Sequence, residues 1–258
     1  MTEVRMVLSV SKLDFGVRDL NRLFTDVDIN GGIIFVLGTP DSGYEIFAKT
    51  ILLSEDEYSK IALLGKETKD EFIKAIKTYD IGKTESVKVL ELGSYVFRRF
   101  ASTIEKLSRI LSTGDLTTLL EQEKTATESE GSDIMTYLIS RIHGFSKAKI
   151  LVDFIDMLIE EYSLSEISRT VAAIMTLSKI KDNFFIITME KDLNPELERK
   201  IVSLSDIVFL LYSKRKSIDE KLRIMEILKI KNYPHLQFYA TYTFVRNEGF
   251  KIEHIQRI

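Results

Sequence analysis

The chain has 258 residues, of which 45% are apolar and 29% are charged, and it contains no cysteine and no tryptophan. This length suits one large domain or two small ones, and the composition is that of a folded chain rather than a disordered one. The lack of cysteine excludes a disulfide framework and a thiolate nucleophile, and the net charge of −3 gives no overall attraction to nucleic acid.

Short apolar runs alternate with amphipathic segments along the chain. Strands are predicted at 31–40, 59–67, 86–92, 148–158, 183–190 and 206–213, and three paired strands follow at 221–230, 237–246 and 250–258. Helices are predicted at 43–54, 68–82, 95–120, 133–143, 165–181 and 195–203. Thr68 and Gly82 are expected to cap the second helix at its start and end. The alternation predicts an α/β fold with a mostly parallel central sheet, flanked by helices and extended by antiparallel C-terminal strands.

We expect a single domain over residues 1–258, with an N-terminal extension at 1–14. Residues 121–132 contain no large apolar side chain and are predicted to form a flexible loop. No apolar run reaches the roughly 18 residues of a membrane span, and the N-terminus lacks a secretory apolar core, so we expect a cytoplasmic protein. The 31 isoleucines, against six asparagines and three glutamines, partly match the composition of thermophile proteins.

A candidate phosphate-binding loop follows the first buried strand. It consists of Gly38, Thr39, Pro40, Asp41, Ser42, Gly43, Tyr44 and Glu45. Such loops carry two glycines four residues apart, then a lysine and a serine or threonine, and their backbone N–H groups hold phosphates. Both glycines are present here, but Tyr44 replaces the lysine and Glu45 the hydroxyl. Because Asp41 and Glu45 repel phosphate, the loop opposes triphosphate binding, and an ordinary strand-to-helix turn is the alternative interpretation.

Weak motifs surround this loop in a consistent order. They lie at residues 15–23, 28–38, 63–81, 150–155, 183–190 and 222–234. In this order the chain resembles the archaeal RecA/RadA/KaiC-like branch of the P-loop ATPases, and among them members with degenerate phosphate loops. The resemblance implies a RecA-like P-loop NTPase core over residues 15–258.

The resemblance also implies roles for single residues. Asp153 stands where the Walker B acid orients magnesium, and Thr188 stands at the polar position of the sensor strand. Lys66 replaces the usual catalytic glutamate, and Glu67 matches the second acid of that strand. With the loop lysine, its hydroxyl neighbour and the catalytic glutamate all replaced, we predict no catalytic residue and a core that no longer hydrolyses ATP.

Two further sets of residues were candidates for binding. Lys214, Arg215 and Lys216 form a basic cluster between two predicted strands, which suits either a solvated hairpin tip or a contact to nucleic-acid phosphates. The three histidines are far apart in the sequence and show no metal-ligand spacing, so no metal site is predicted.

These observations leave three functional hypotheses. The first is a catalytically silent RecA/KaiC-like protein, a pseudo-ATPase without a cofactor, that binds a protein or peptide partner or assembles with copies of itself. The second is an ATPase that binds ATP and magnesium with a displaced lysine, either Lys66 or one of Lys229 and Lys231. Lys229 and Lys231 match a strand late in the sequence of the family, whose basic residues reach the nucleotide of a neighbouring subunit. The third is an accessory, DNA-binding recombinase-like paralogue, which the basic cluster favours and the net charge disfavours.

Overall fold

The computed structural model describes residues 13–92, 134–215 and 221–257. The predicted helix at 95–120, the predicted loop at 121–132 and Lys216 lie outside these ranges, as does most of the predicted extension at 1–14. None of the helices in these ranges combines the length and apolar character needed to cross a membrane.

The described residues form nine strands and six α-helices. The strands are β1 Gly32–Gly38, β2 Ser59–Leu64, β3 Val87–Glu91, β4 Ala148–Val152, β5 Phe184–Glu190, β6 Ile207–Arg215, β7 Lys221–Ile230, β8 Phe238–Val245 and β9 Gly249–Arg257. The helices are α1 Arg18–Leu23, α2 Tyr44–Leu53, α3 Lys69–Tyr79, α4 Ile134–His143, α5 Leu164–Lys181 and α6 Pro195–Leu204. Short 3₁₀ turns occupy Thr84–Ser86 and Met157–Glu160.

The nine strands form one sheet in the order β3-β2-β4-β5-β1-β6-β7-β8-β9. The first six strands in that order are parallel, and β7, β8 and β9 continue the sheet as antiparallel neighbours. The predicted α/β fold, with its parallel centre and antiparallel C-terminal strands, is therefore confirmed.

Helices cover both faces of the sheet, because alternate residues of each buried strand point to opposite sides. On β1, Ile34 and Val36 join a core with the residues of α1, α2 and α3. Ile33 and Phe35 join a second core with the residues of α4, α5 and α6. Helices α1, α2 and α3 thus lie on one face of the sheet, and helices α4, α5 and α6 lie on the other.

Several predicted boundaries hold and others shift for local reasons. Thr68 caps α3 as predicted, and a reciprocal bond from its backbone N–H to Glu71 completes a capping box. The helix ends earlier than expected, because Asp80 adopts a left-handed conformation (φ 51°) and stops it before Gly82. The strand predicted at 148–158 is also too long: β4 ends at Val152, and the chain turns into a 3₁₀ segment.

Candidate functional site

The loop that follows β1 folds into a closed turn. The backbone N–H of Ser42 donates to the carbonyl of Thr39 at 2.9 Å, and that of Thr39 donates to Leu211 of β6 at 3.0 Å. Gly43 then adopts a φ of 76° and begins α2, a conformation that glycine reaches without strain. The loop therefore has the strand–turn–helix setting of a phosphate-binding loop, as its position in the sequence predicted.

The side chain of Tyr44 packs inward against the end of β1. Only 2% of Tyr44 is exposed, and a Cβ atom placed on Gly38 would lie 2.4 Å from the Cβ of Tyr44. The pKa of the Tyr44 phenol is raised, first by burial and then by the nearby carboxylates of Glu45 and Asp156. A buried, neutral phenol thus stands at the sequence position of the typical loop lysine and packs on the end of β1.

The opposite side of the loop is fixed to the antiparallel strands. Asp41 pairs with Lys221 and accepts a hydrogen bond from Ser213 at 2.7 Å, and these contacts lower the pKa of Asp41. The hydroxyl of Tyr242 donates to the carbonyl of Ser42 at 2.8 Å. The loop is therefore held by side chains of β6, β7 and β8.

A cavity of about 280 Å³ opens at the carboxyl edge of the parallel strands. Its lining residues come from α2, from the segment after β2, and from β4 and β5 and their carboxyl ends: Glu45, Lys49, Lys66, Glu67, Leu151, Asp153 and Thr188. Ligands of open α/β sheets bind at this edge. Of the eight residues of the loop, Glu45 alone lines this cavity, so the loop contributes little to its wall.

The cavity brings together five residues that the sequence singled out, one of which is Glu45 of the loop. Lys66, Glu67, Asp153 and Thr188 line it together, although the sequence separates the first from the last by more than a hundred residues. Thr188 is 2% exposed and stands within β5. Residues far apart in the sequence thus meet at one cavity, and the roles that the resemblance implies for them stay predictions.

Asp153 is the most perturbed acid of this cavity. It is 6% exposed, and its Oδ1 accepts a hydrogen bond from the backbone N–H of Gly65 at 2.6 Å. Burial raises the pKa of Asp153 to about 7; the bond from Gly65 opposes the shift and the carboxylate of Glu67 adds to it. The side chain is thus poised between its charged and neutral forms near neutral pH.

Two lysines of the cavity are already paired with acids. The Nζ of Lys49 lies 2.8 Å from Glu67, with the Lys49 side chain 5% exposed, and also 5.5 Å from the ring centroid of Phe72. The Nζ of Lys66 pairs with Asp156, whose side chain is 5% exposed. Sequence reasoning missed Lys49, although it follows Glu45 by four residues and so falls on the same face of α2.

The late-strand lysines lie away from this cavity within the chain. Lys229 donates to the last carbonyls of α6, at 2.7 Å to Val202 and 2.9 Å to Ser203. Lys231 lies 3.5 Å from Asp206, at the amino end of β6. Since the loop follows the carboxyl end of β1, neither lysine replaces the loop lysine of its own chain.

The basic cluster is more ordered than a hairpin tip. Lys214 and Arg215 are the last residues of β6, and Arg215 lies opposite Lys221 of β7 in the antiparallel register. The Nζ of Lys214 lies 5.2 Å from the ring of Tyr212, and Lys221 is neutralised by Asp41. Part of the positive charge that would attract nucleic acid is therefore balanced within the protein.

Across the described ranges, no group of three or more His, Asp or Glu side chains is placed to hold a metal ion.

The fold is RecA-like and is shared with two archaeal proteins of known structure. The chain superposes on a KaiC-like protein from the hyperthermophilic archaeon Pyrococcus horikoshii with a TM-score of 0.64 and 12% identity, over 95% of this chain and 100% of the other. It superposes on the flagellar accessory protein FlaH from Methanocaldococcus jannaschii with a TM-score of 0.67 and 13% identity, over 95% and 99% of the two chains. No family profile matches the sequence, and no curated protein matches it significantly. At these identities the likeness establishes the fold, and the function must be argued from the site.

Proposed function

We propose that this protein is a catalytically silent RecA/KaiC-like protein that acts by binding a protein or peptide partner, or by assembling with copies of itself. The observation that carries the proposal is the inward packing of Tyr44 onto Gly38, which fills the space beside the loop. Seven of the eight loop residues do not line the cavity beyond, which supports a loop that no longer holds phosphates there.

The charges of the cavity argue in the same direction. Lys49 and Lys66 are committed to Glu67 and Asp156, and Glu45 adds a further carboxylate. A triphosphate would have to break both ion pairs and lie beside the released acids. Separating such partly buried pairs costs several kcal/mol in general. The volume of about 280 Å³ also falls just below the range of about 300–1,000 Å³ that is usual for ligand pockets.

Binding through the surface of the fold does not depend on nucleotide chemistry. Within the described ranges, strand β9 ends the nine-stranded sheet and pairs with β8 alone, so its other edge offers backbone groups to an added strand. Large apolar side chains are exposed at Ile180 and Leu193. These features support a protein-binding role that survives the loss of hydrolysis.

Calorimetric titration of the pure protein with Mg-ATP tests the silent site. We expect no heat of binding up to millimolar nucleotide, which corresponds to an affinity weaker than about −4 kcal/mol. A Tyr44→Lys/Glu45→Thr variant restores the typical loop chemistry and serves as the matched comparison. Micromolar binding of Mg-ATP by the unaltered protein would overturn the proposal.

Sedimentation equilibrium and affinity capture test the binding role. We expect either a concentration-dependent mass above 29.7 kDa or specific retention of a partner on the immobilised protein. A strictly monomeric protein that retains nothing from an archaeal lysate would contradict this part of the proposal.

The competing candidate is a nucleotide-binding ATPase with a displaced lysine, which the presence of Lys49 and Lys66 in the cavity favours. If Mg-ATP binds, the variants Lys49→Met and Lys66→Met identify the lysine responsible. The variant that abolishes nucleotide binding marks the replacement for the loop lysine. If the protein retains DNA, charge reversal at Lys214 and Arg215 tests whether the basic cluster binds it, because the variant should then lose DNA retention.

A further inference from the structure

The ion pairs of the carboxyl-edge cavity leave two of its carboxylates without a cation. Lys49 lies 2.8 Å from Glu67, and Lys66 pairs with Asp156. Within the part of the chain that the structure describes, neither Glu45 nor Asp153 forms an ion pair, although both line the cavity. The cavity therefore carries more negative than positive groups around its free volume.

Asp153 has one carboxylate oxygen that is hydrogen-bonded within the protein and one that is not. The residue is 6% exposed, and its Oδ1 accepts the N–H of Gly65 at 2.6 Å. Its Oδ2 has no hydrogen-bonding partner among the described residues, yet the side chain borders the cavity. This oxygen retains accessible surface at the cavity, so a donor that enters the cavity can reach it.

The remaining walls define the kind of donor that fits. Leu151 offers an apolar surface and Thr188 a hydroxyl, which together suit a short alkyl chain that ends in a polar group. Ammonium and guanidinium groups donate several hydrogen bonds and pair well with carboxylates.

We propose that the carboxyl-edge cavity binds an organic cation, with a primary ammonium or guanidinium group held between Glu45 and Asp153. This inference rests on the proposed function, because the cavity is free for such a group only if it holds no nucleotide. The cation belongs either to a free small amine or to a lysine or arginine side chain of a bound protein. Both present the same chemistry to the two carboxylates.

Titration with n-butylammonium chloride, followed by calorimetry and by the carboxyl ¹³C resonances, tests the binding. We expect saturable binding at millimolar affinity or better, with a shift of the Asp153 resonance. The variants Asp153→Asn and Glu45→Gln are each expected to weaken the binding at least tenfold. Asp70→Asn, which removes an exposed carboxylate from the first turn of α3, is the matched control and should bind like the unaltered protein.

A second arm distinguishes the two sources of the cation. A seven-residue peptide with a single central lysine is titrated beside n-butylammonium. Equal or tighter binding of the peptide assigns the site to a protein side chain, whereas binding of the free amine alone assigns it to a small molecule.

Two results would overturn the inference: no binding of either probe, or binding that Asp153→Asn leaves unchanged. A parallel titration with Mg-ATP separates this outcome from failure of the proposed function. If ATP binds, the proposed function fails and the inference fails with it. If neither ATP nor the cations bind, the silent site stands and only the inference is lost.

Discussion

Strand β4 and the residue after it carry an ionisable side chain at each end of one face, and the protein surrounds the two in opposite ways. Lys149 lies near the amino end and Asp153 just past the carboxyl end, with Leu151 between them on the same face. Both Lys149 and Asp153 are almost fully buried. Burial lowers the pKa of Lys149 and raises that of Asp153, because in each case it disfavours the charged form.

Lys149 is fully provided with partners. Its ammonium donates to the carbonyl of Ile51 at 3.1 Å, to the carbonyl of Asp14 and to the hydroxyl of Ser54, and it pairs with Asp56. The partners come from the C-terminal end of α2 and from the segment before α1. The positive charge therefore joins three parts of the chain and complements the negative end of the helix dipole of α2.

Asp153 has one protein donor and an adjoining cavity. Gly65 donates to one carboxylate oxygen, and the other faces the space that Glu45 and Lys66 also border. The contrast teaches that burial of a charge does not by itself indicate a function. The satisfied charge at the amino edge has a structural role, and the incompletely satisfied one at the carboxyl edge marks the candidate site.

Lys149→Met should produce the largest loss of stability. The substitution leaves the Asp56 carboxylate, whose side chain is 8% exposed, without its cation, together with two carbonyls and a hydroxyl. Removing one member of a buried pair costs about 3–5 kcal/mol in general, and urea denaturation measures the loss. Lys74→Met, at an exposed position of α3, is the control and should stay within about 0.5 kcal/mol. A variant as stable as the control would remove the contrast between the two ends of β4.

Asp153→Asn should increase the free energy of unfolding, whereas Lys149→Met decreases it. The size of this increase should depend on pH. The folded-state pKa of Asp153 is about 7, above the ordinary aspartate pKa of 3.8, so the folded protein holds an extra proton between these two pH values. The unaltered protein thus loses stability as the pH rises from 4 to 7, by at most roughly 4 kcal/mol. The asparagine variant lacks this loss. It should therefore be more stable than the unaltered protein at pH 8 and about as stable as the unaltered protein at pH 4.

Urea denaturation across that pH range measures the difference between the two proteins. A variant that is less stable at pH 8 would show that Lys49 and Lys66 stabilise the ionised carboxylate more than burial opposes it. In that case Asp153 would belong with Lys149 among the satisfied charges.

The sequence predicted the strands and helices well because their cause is local. Alternation and apolar periodicity define β1 and α2, and the Thr68–Glu71 pair marks the start of α3 without help from distant residues. Asp153 was also predictable, because the order of the motifs along the chain places it at the end of a buried strand.

The roles of the two buried lysines were not predictable in the same way. Lys49 reads as one polar residue on a helix, and its ion pair with Glu67 needs the crossing of α2 over the end of β2. In the sequence, Lys149 is a charged residue within an otherwise apolar strand. Its partners Ser54 and Asp14 lie 95 and 135 residues away in the sequence. Long-range contacts of this kind leave no mark in a local pattern.

Thr68→Ala should have the smallest effect and should show how the carboxyl edge is held in place. The side chain of Thr68 accepts from the N–H of Glu71, and the cap directly follows Glu67, the partner of Lys49. Loss of such a cap costs about 1 kcal/mol. Ser163→Ala removes an equivalent capping box from α5, with the same reciprocal bonds to Glu166, and none of these residues lines the cavity. Both variants should therefore lose similar stability in urea, but only Thr68→Ala should shift the Lys49 ammonium resonance, because only that cap fixes its partner. Equal shifts in both variants would mean that the cavity responds to global loosening, and the carboxyl edge would then owe its geometry to the sheet rather than to the start of α3.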